Sequence, residues 1–121
     1  MKFKTEKNLK IVNELITYFH TLGNSNVHID LSSDGNTSYF TISGEVESIS
    51  QKELDNLNSI LSIPRQHEVE QYYWNLGGEC EFDSELSLVG MMINKAKVTY
   101  IDNILTIRLV REKKKKSYEL V

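Results

Sequence analysis

The side chains that could do chemistry in this chain are few and scattered. Its single cysteine, Cys80, stands between Glu79 and Glu81, whose negative charges disfavour the thiolate, so an inert thiol is expected rather than a nucleophile. One cysteine also excludes an internal disulfide and a multi-cysteine metal site. The three histidines, His20, His28 and His67, fall on a helix, a strand and a helix start, without a paired ligand spacing such as His-x-x-x-His, and no metal site is expected. His28 and Asp30 share one face of a strand, where they could act as an acid-base pair or simply belong to a solvated polar face. Neither a P-loop, a Gly-x-Ser-x-Gly elbow nor a Cys-x-x-Cys pair occurs. More informative is QYYWNLGG: Tyr72, Tyr73 and Trp74 are consecutive, so around a helix they cannot all face one core. An aromatic left partly exposed there would make this run an interaction patch, with packing inside the fold as the plainer account.

These residues need a scaffold, and composition sets its class. With 121 residues, 40% hydrophobic and 26% charged, the chain reads as one globular domain able to bury its own core. Its longest apolar runs fall short of the roughly 20 residues of a membrane span, and the lysines at the start precede no signal-type apolar segment, because Asn13 and Glu14 interrupt it. A cytoplasmic location with no membrane contact is expected. Net charge is −3, and the one dense basic cluster, residues 111–116, has no interleaved aromatics; a solvated tail is expected, and no nucleic-acid partner.

Periodicity then places the elements. Thr5 is positioned to cap a helix whose residues Leu9, Val12, Leu15, Ile16, Phe19 and Leu22 follow the 3.6-residue period, and Gly23 to end it. Val27, Ile29 and Leu31 alternate with polar residues, Asp34-Gly35 offers a tight turn, and residues 39–43 alternate again, predicting a hairpin. Ser50 and Glu53 form a capping box before Leu54, Leu57, Ile60 and Leu61, so a second helix starts near Gln51. Pro64 ends it or opens the next. Val69, Tyr72, Tyr73 and Leu76 mark a third helix stopped at Gly77-Gly78, and Asp83 or Ser84 caps a fourth carrying Leu86, Val89, Ile93 and Ala96. Strands over 98–101 and 104–110 meet at Asp102-Asn103. The order α, β, β, α, α, α, β, β predicts an α+β fold: a two-layer α/β sandwich whose mixed sheet of about four strands is covered on one face by helices. Residues 1–121 form a single domain, with a helical insertion over 46–83 and a basic tail over 112–121.

In this order two segments, NELITYFHTLGNSNVHIDLSSDGNTSYFTISGE and SELSLVGMMINKAKVTYIDNILTIRLVRE, resemble the GHKL ATPase superfamily in the small form used by histidine kinase ATPase domains and anti-sigma-factor serine kinases of bacteria. The N-terminal segment resembles the family's first helix and hairpin. The C-terminal segment is similar to its glycine-rich turn, following helix and last hairpin. Together they cover more than half of the chain, and residues 46–83 would correspond to the variable ATP lid.

The resemblance carries three site motifs, and the chain departs from each. The family's Glu-x-x-x-Asn signature places an activating acid and a magnesium-holding amide on one helix face; here Glu14 matches the acid, but the amide position is Tyr18, and a phenol is a poor ligand for Mg²⁺. Apart from the resemblance, Glu14 reads as a solvated acid bordering the apolar stripe. At the Asp-x-Gly-x-Gly position, whose acid receives the adenine amino group, this chain has Gly44 or Glu45; Glu45 serves only if the register shifts by one, and Gly44 reads as a relief of strain at a strand end. The Gly-x-Gly-Leu turn, which brings backbone amides to the phosphates, aligns with Glu85-Leu86-Ser87-Leu88. A carboxylate such as Glu85 about 4 Å from a phosphate charge costs about 4 kcal/mol at an effective dielectric near 20, about a thousandfold in affinity. The same acids near a helix start also complement its dipole.

The resemblance therefore implies a catalytically degenerate ATPase-like domain acting as a bacterial regulatory module through protein contact, without a cofactor, with Glu14 vestigial. Its partners would be a signalling protein of the anti-sigma or anti-anti-sigma kind, or a second copy of the chain. An alternative is a divergent ATP-dependent serine kinase keeping Glu14 as base and Mg-ATP as cofactor. A further alternative is an unrelated α+β ligand-binding module.

Overall fold

Residues 4–24, 26–62 and 86–112 are described by a computed structural model of the chain. The chain opens with α1 (Lys4–Thr21), which ends in a Schellman closure: Asn24 N donates to Phe19 O at 3.2 Å and Gly23 N to His20 O at 3.0 Å, with Gly23 at φ 84°. Gly23 terminates the helix as its sequence position implied. The helix already includes Lys4 and Thr5, so Thr5 lies inside it and is not its cap.

Two hairpins follow, separated by helices. β1 (Val27–Asp34) pairs antiparallel with β2 (Thr37–Glu45) around Gly35-Asn36, one residue later than Asp34-Gly35, with Gly35 carrying the left-handed φ of 64°. β3 (Lys95–Ile101) pairs with β4 (Ile104–Glu112) around Asp102-Asn103, whose φ values of 53° and 64° are those a type I′ turn demands. β2 and β4 join the hairpins, giving the order β1-β2-β4-β3. All three pairings are antiparallel, so the sheet is not mixed.

Alternation decides which face is covered. Phe40 and Ile42 of β2 and Leu105, Ile107 and Leu109 of β4 are buried, while the residues between them are exposed or half-buried. The helix layer lies on the buried side: α1 contacts β2, α2 (Gln51–Leu61) contacts β3, and α3 (Leu86–Met92) contacts both α1 and α2. Ser50 caps α2 as its sequence requires, its Oγ accepting from Glu53 N at 3.0 Å. The result is the two-layer α+β sandwich, with helices on one face of the sheet and, among the described residues, none on the other.

Three features differ from the periodic reading. α1 is turned, burying Ile11, Leu15 and Phe19 and leaving Leu9 56% and Ile16 40% exposed. α3 stops at Met92 because Asn94 N bonds Val110 O at 2.7 Å and draws the chain into β3, so Ala96 is an exposed strand residue. β4 runs on to Glu112, which makes Arg111 a buried strand residue and not part of a tail: its Nη1 donates to Met92 O at 2.7 Å, satisfying a carbonyl at the negative end of α3. Gly90 sets the packing of the helix layer. A Cβ there would overlap the backbone oxygen of Ile60, so only glycine lets α3 approach α2 this closely.

Candidate functional site: the flank of α1 that faces α2

Glu14 and Tyr18 are one helical turn apart on the side of α1 toward α2, where the resemblance would seat a magnesium-bound triphosphate. Glu14 is buried, not solvated, and its Oε2 lies 2.9 Å from Lys10 Nζ in an i,i+4 ion pair. Tyr18 is half-buried and donates its hydroxyl to Glu53 Oε2 at 2.6 Å, bridging α1 to the first turn of α2. Burial pushes the Tyr18 phenol well above its ordinary pKa, and the adjacent Glu53 carboxylate raises it further by accepting the proton and by repelling a phenolate. The phenol is thus held protonated, as a hydrogen-bond donor.

Those contacts do not fit magnesium. Mg²⁺ takes hard oxygen ligands in near-octahedral array, whereas the residue at the amide position offers a neutral phenol whose hydroxyl is already committed to a carboxylate. Among the described residues no three His, Cys, Asp or Glu side chains gather as a metal site. The site is a polar clasp between two helices.

The position that the resemblance assigns to adenine is also taken up by contacts within the fold. Gly44 is buried in β2, and a Cβ there would come within 2.6 Å of Asn24 Nδ2 and 2.9 Å of Asn26 O. Its requirement is close approach by Asn24, not the relief of backbone strain. Asn24 is itself buried: Nδ2 donates to Glu45 O at 2.6 Å and Oδ1 accepts from Asn26 N at 2.9 Å, tying the end of α1 to the start of β1 and the end of β2. The Glu45 side chain is exposed on the open face, away from the helices. Beyond it, Val46 N donates to Asn103 O at 2.8 Å and Val46 O accepts from Tyr100 Oη at 2.6 Å, which fixes where the chain leaves the sheet for α2.

Ser87 is half-buried in the first turn of α3. Glu85 lies outside the described residues, as do Tyr72, Tyr73, Trp74, Cys80 and His67 and the helix expected around Val69. His28 and Asp30 stand exposed on the open face of β1, across from Ser43 and Thr41 of β2. The structure therefore brings Glu14 and Tyr18 together, and leaves Gly44 and Glu45 to a separate corner.

Three residues that the motifs did not flag complete these contacts. Glu53 was legible as a capping residue, yet its carboxylate serves Tyr18. Lys10 could have been read from the Lys-x-x-x-Glu spacing to Glu14. Asn24 carried a weaker signal, an amide just past the glycine that ends a helix. No helix among the described residues is long and apolar enough to cross a membrane. The sequence matches no protein-family model and no curated protein.

Proposed function

We propose that this chain is a catalytically degenerate domain of the histidine kinase ATPase-like kind, working as a bacterial regulatory module through protein contact and without turnover. The observation that carries the reading is the 2.6 Å bond from Tyr18 to Glu53. It stitches the magnesium position of the resemblance to α2, the first helix of the lid-like insertion. The ion pair of Glu14 with Lys10 and the packing of Asn24 over Gly44 support it, since each gives a motif residue a structural task. A nucleotide entering here would have to break the clasp and supply nothing in return. Regulation would proceed by shape recognition, with a signalling protein of the anti-sigma or anti-anti-sigma kind as the partner class that the resemblance implies.

Thermal melting with Mg-ATP tests this reading. A ligand present at a hundred times its Kd adds about 2.7 kcal/mol, a rise of several degrees for a domain of this size. We expect no rise. A clear upward shift, lost in Glu14→Ala, would favour a divergent ATP-dependent serine kinase instead.

A further inference from the structure

The two edges of the sheet are built differently. β3 carries Lys95 and Lys97, both exposed, and such cations blunt an edge against added strands. β1 has eight residues without a lysine, arginine or proline, and its register with β2 runs unbroken from Val27↔Gly44 to Asp34↔Thr37, so no bulge twists it away. Among the described residues no strand pairs with its outer row of backbone N–H and C=O groups, which is a template for another strand.

The side chains along this edge are apolar on the helix side. Ile29 and Leu31 face the same way as their partners Ile42 and Phe40, which are buried, yet they are 41% and 38% exposed. Tyr18 marks the flank of α1 that faces α2. At about 100° per residue, Leu9 and Ile16 lie roughly half a turn around the helix from it. Since α1 sits on β2 and α2 on β3, that opposite flank is the one turned to the β1 side of the sheet. Leu9, Ile16, Ile29 and Leu31 are thus exposed apolar side chains on the β1 side of the molecule.

We propose that this edge is the interface of a homodimer, in which β1 pairs antiparallel with β1 of a second copy about a two-fold axis through Ile29. The stretch Val27-His28-Ile29-Asp30-Leu31 is complementary to itself in this register. Val27 meets Leu31, Ile29 meets its own copy, and on the open face each His28 meets an Asp30. An axis through Asp30 or through His28 would instead oppose like groups, which cross-strand pairing penalises. The two-fold keeps both helix layers on one side of a continuous sheet, where Leu9 and Ile16 of each copy extend the apolar seam. This pairing does not depend on what happens at Glu14 and Tyr18, on the other flank of α1, so it and the proposed loss of nucleotide binding fail separately.

Sedimentation of the full chain across the micromolar range tests the proposal. The mass should climb toward twice the 14.0 kDa of one chain, and Ile29→Lys should remain a folded monomer throughout. Asp30→Lys, on the open face, turns two attractive pairs into unfavourable ones and should weaken association by about tenfold; adding His28→Asp should restore it. A wild-type chain that stays monomeric overturns the proposal. So does a dimer indifferent to both Ile29→Lys and Asp30→Lys, which would place the contact elsewhere, for example at Tyr72, Tyr73 and Trp74. Failure of the His28→Asp, Asp30→Lys pair to restore association would overturn the axis through Ile29. Should Ile29→Lys prevent folding, the exposed Asp30 variants still decide.

Discussion

α1 has two flanks of opposite character. Toward α2 it presents polar side chains that are buried or half-buried and partnered, Glu14 with Lys10 and Tyr18 with Glu53. On the flank away from α2 it presents apolar side chains that are exposed, Leu9 and Ile16. Simple burial rules predict the reverse. Under the two proposals the contrast separates two tasks within one helix: the side where the resemblance would seat a nucleotide carries the protein's own polar pairs, and the other side is the proposed contact. Substitutions on the closed side should therefore act on stability, and those on the open side on association.

The core beneath both flanks gives the largest expected effect. Leu15→Ala removes a fully buried side chain at the centre of α1 and should cost about 3 kcal/mol in denaturant unfolding. Gly90→Ala, where the new methyl group meets the Ile60 carbonyl, should cost about 2 kcal/mol; alanine's better helix propensity, about 1 kcal/mol in its favour, is the effect this clash must exceed. A stabilised Gly90→Ala variant would show that α3 and α2 are not held this close.

Tyr18→Phe should come next, at about 1 kcal/mol, because it removes a hydrogen bond to a half-buried carboxylate while keeping the ring. The pH dependence follows from the raised phenol. Its folded-state pKa lies above the ordinary value of about 10, so its contribution is complete below that pH and is lost as pH rises toward the folded value. Wild type and Tyr18→Phe should thus differ most near neutrality and converge in alkaline unfolding experiments. The smallest stability effect belongs to the open flank: Ile16→Gln should change the unfolding free energy of the monomer by less than about 0.5 kcal/mol. The same change should weaken self-association in sedimentation, and it is this dissociation of the two readouts that separates the flanks.

Much of the scaffold was legible because its signals are local. The Ser50 cap, the glycine after the first helix and the Asp102-Asn103 turn each act through a few neighbouring atoms, and each stands as its sequence implied, while the Glu53 carboxylate of the expected capping box serves Tyr18. The rotation of α1 was not legible. Leu9 and Ile16 fit a 3.6-residue stripe too, and the face that turns inward is the one that also makes the polar bonds of Asn8 to Ser38 and Tyr18 to Glu53, across 30 and 35 residues. Arg111 misled for the same reason. Beside four lysines it reads as tail, but the ladder with Ser38 continues through it and the end of α3 supplies its acceptor. At the site, the spacing of Glu14 to Tyr18 and to Lys10 could be read from sequence, while the Glu53 partner of Tyr18 could not. The long-range bond to Glu53 depends on where α2 docks, and that is decided by Gly90 and the core.

Whether the α2-facing flank of α1 is closed to nucleotide can be read from backbone amide NMR of the full chain during a titration with Mg-ATP. With the clasp intact, the amides of Glu14, Tyr18, Gly44 and Gly90 should keep their positions up to millimolar nucleotide. Saturable shifts centred on Glu14 and Tyr18, with the bond to Glu53 released, would show that the flank is open after all.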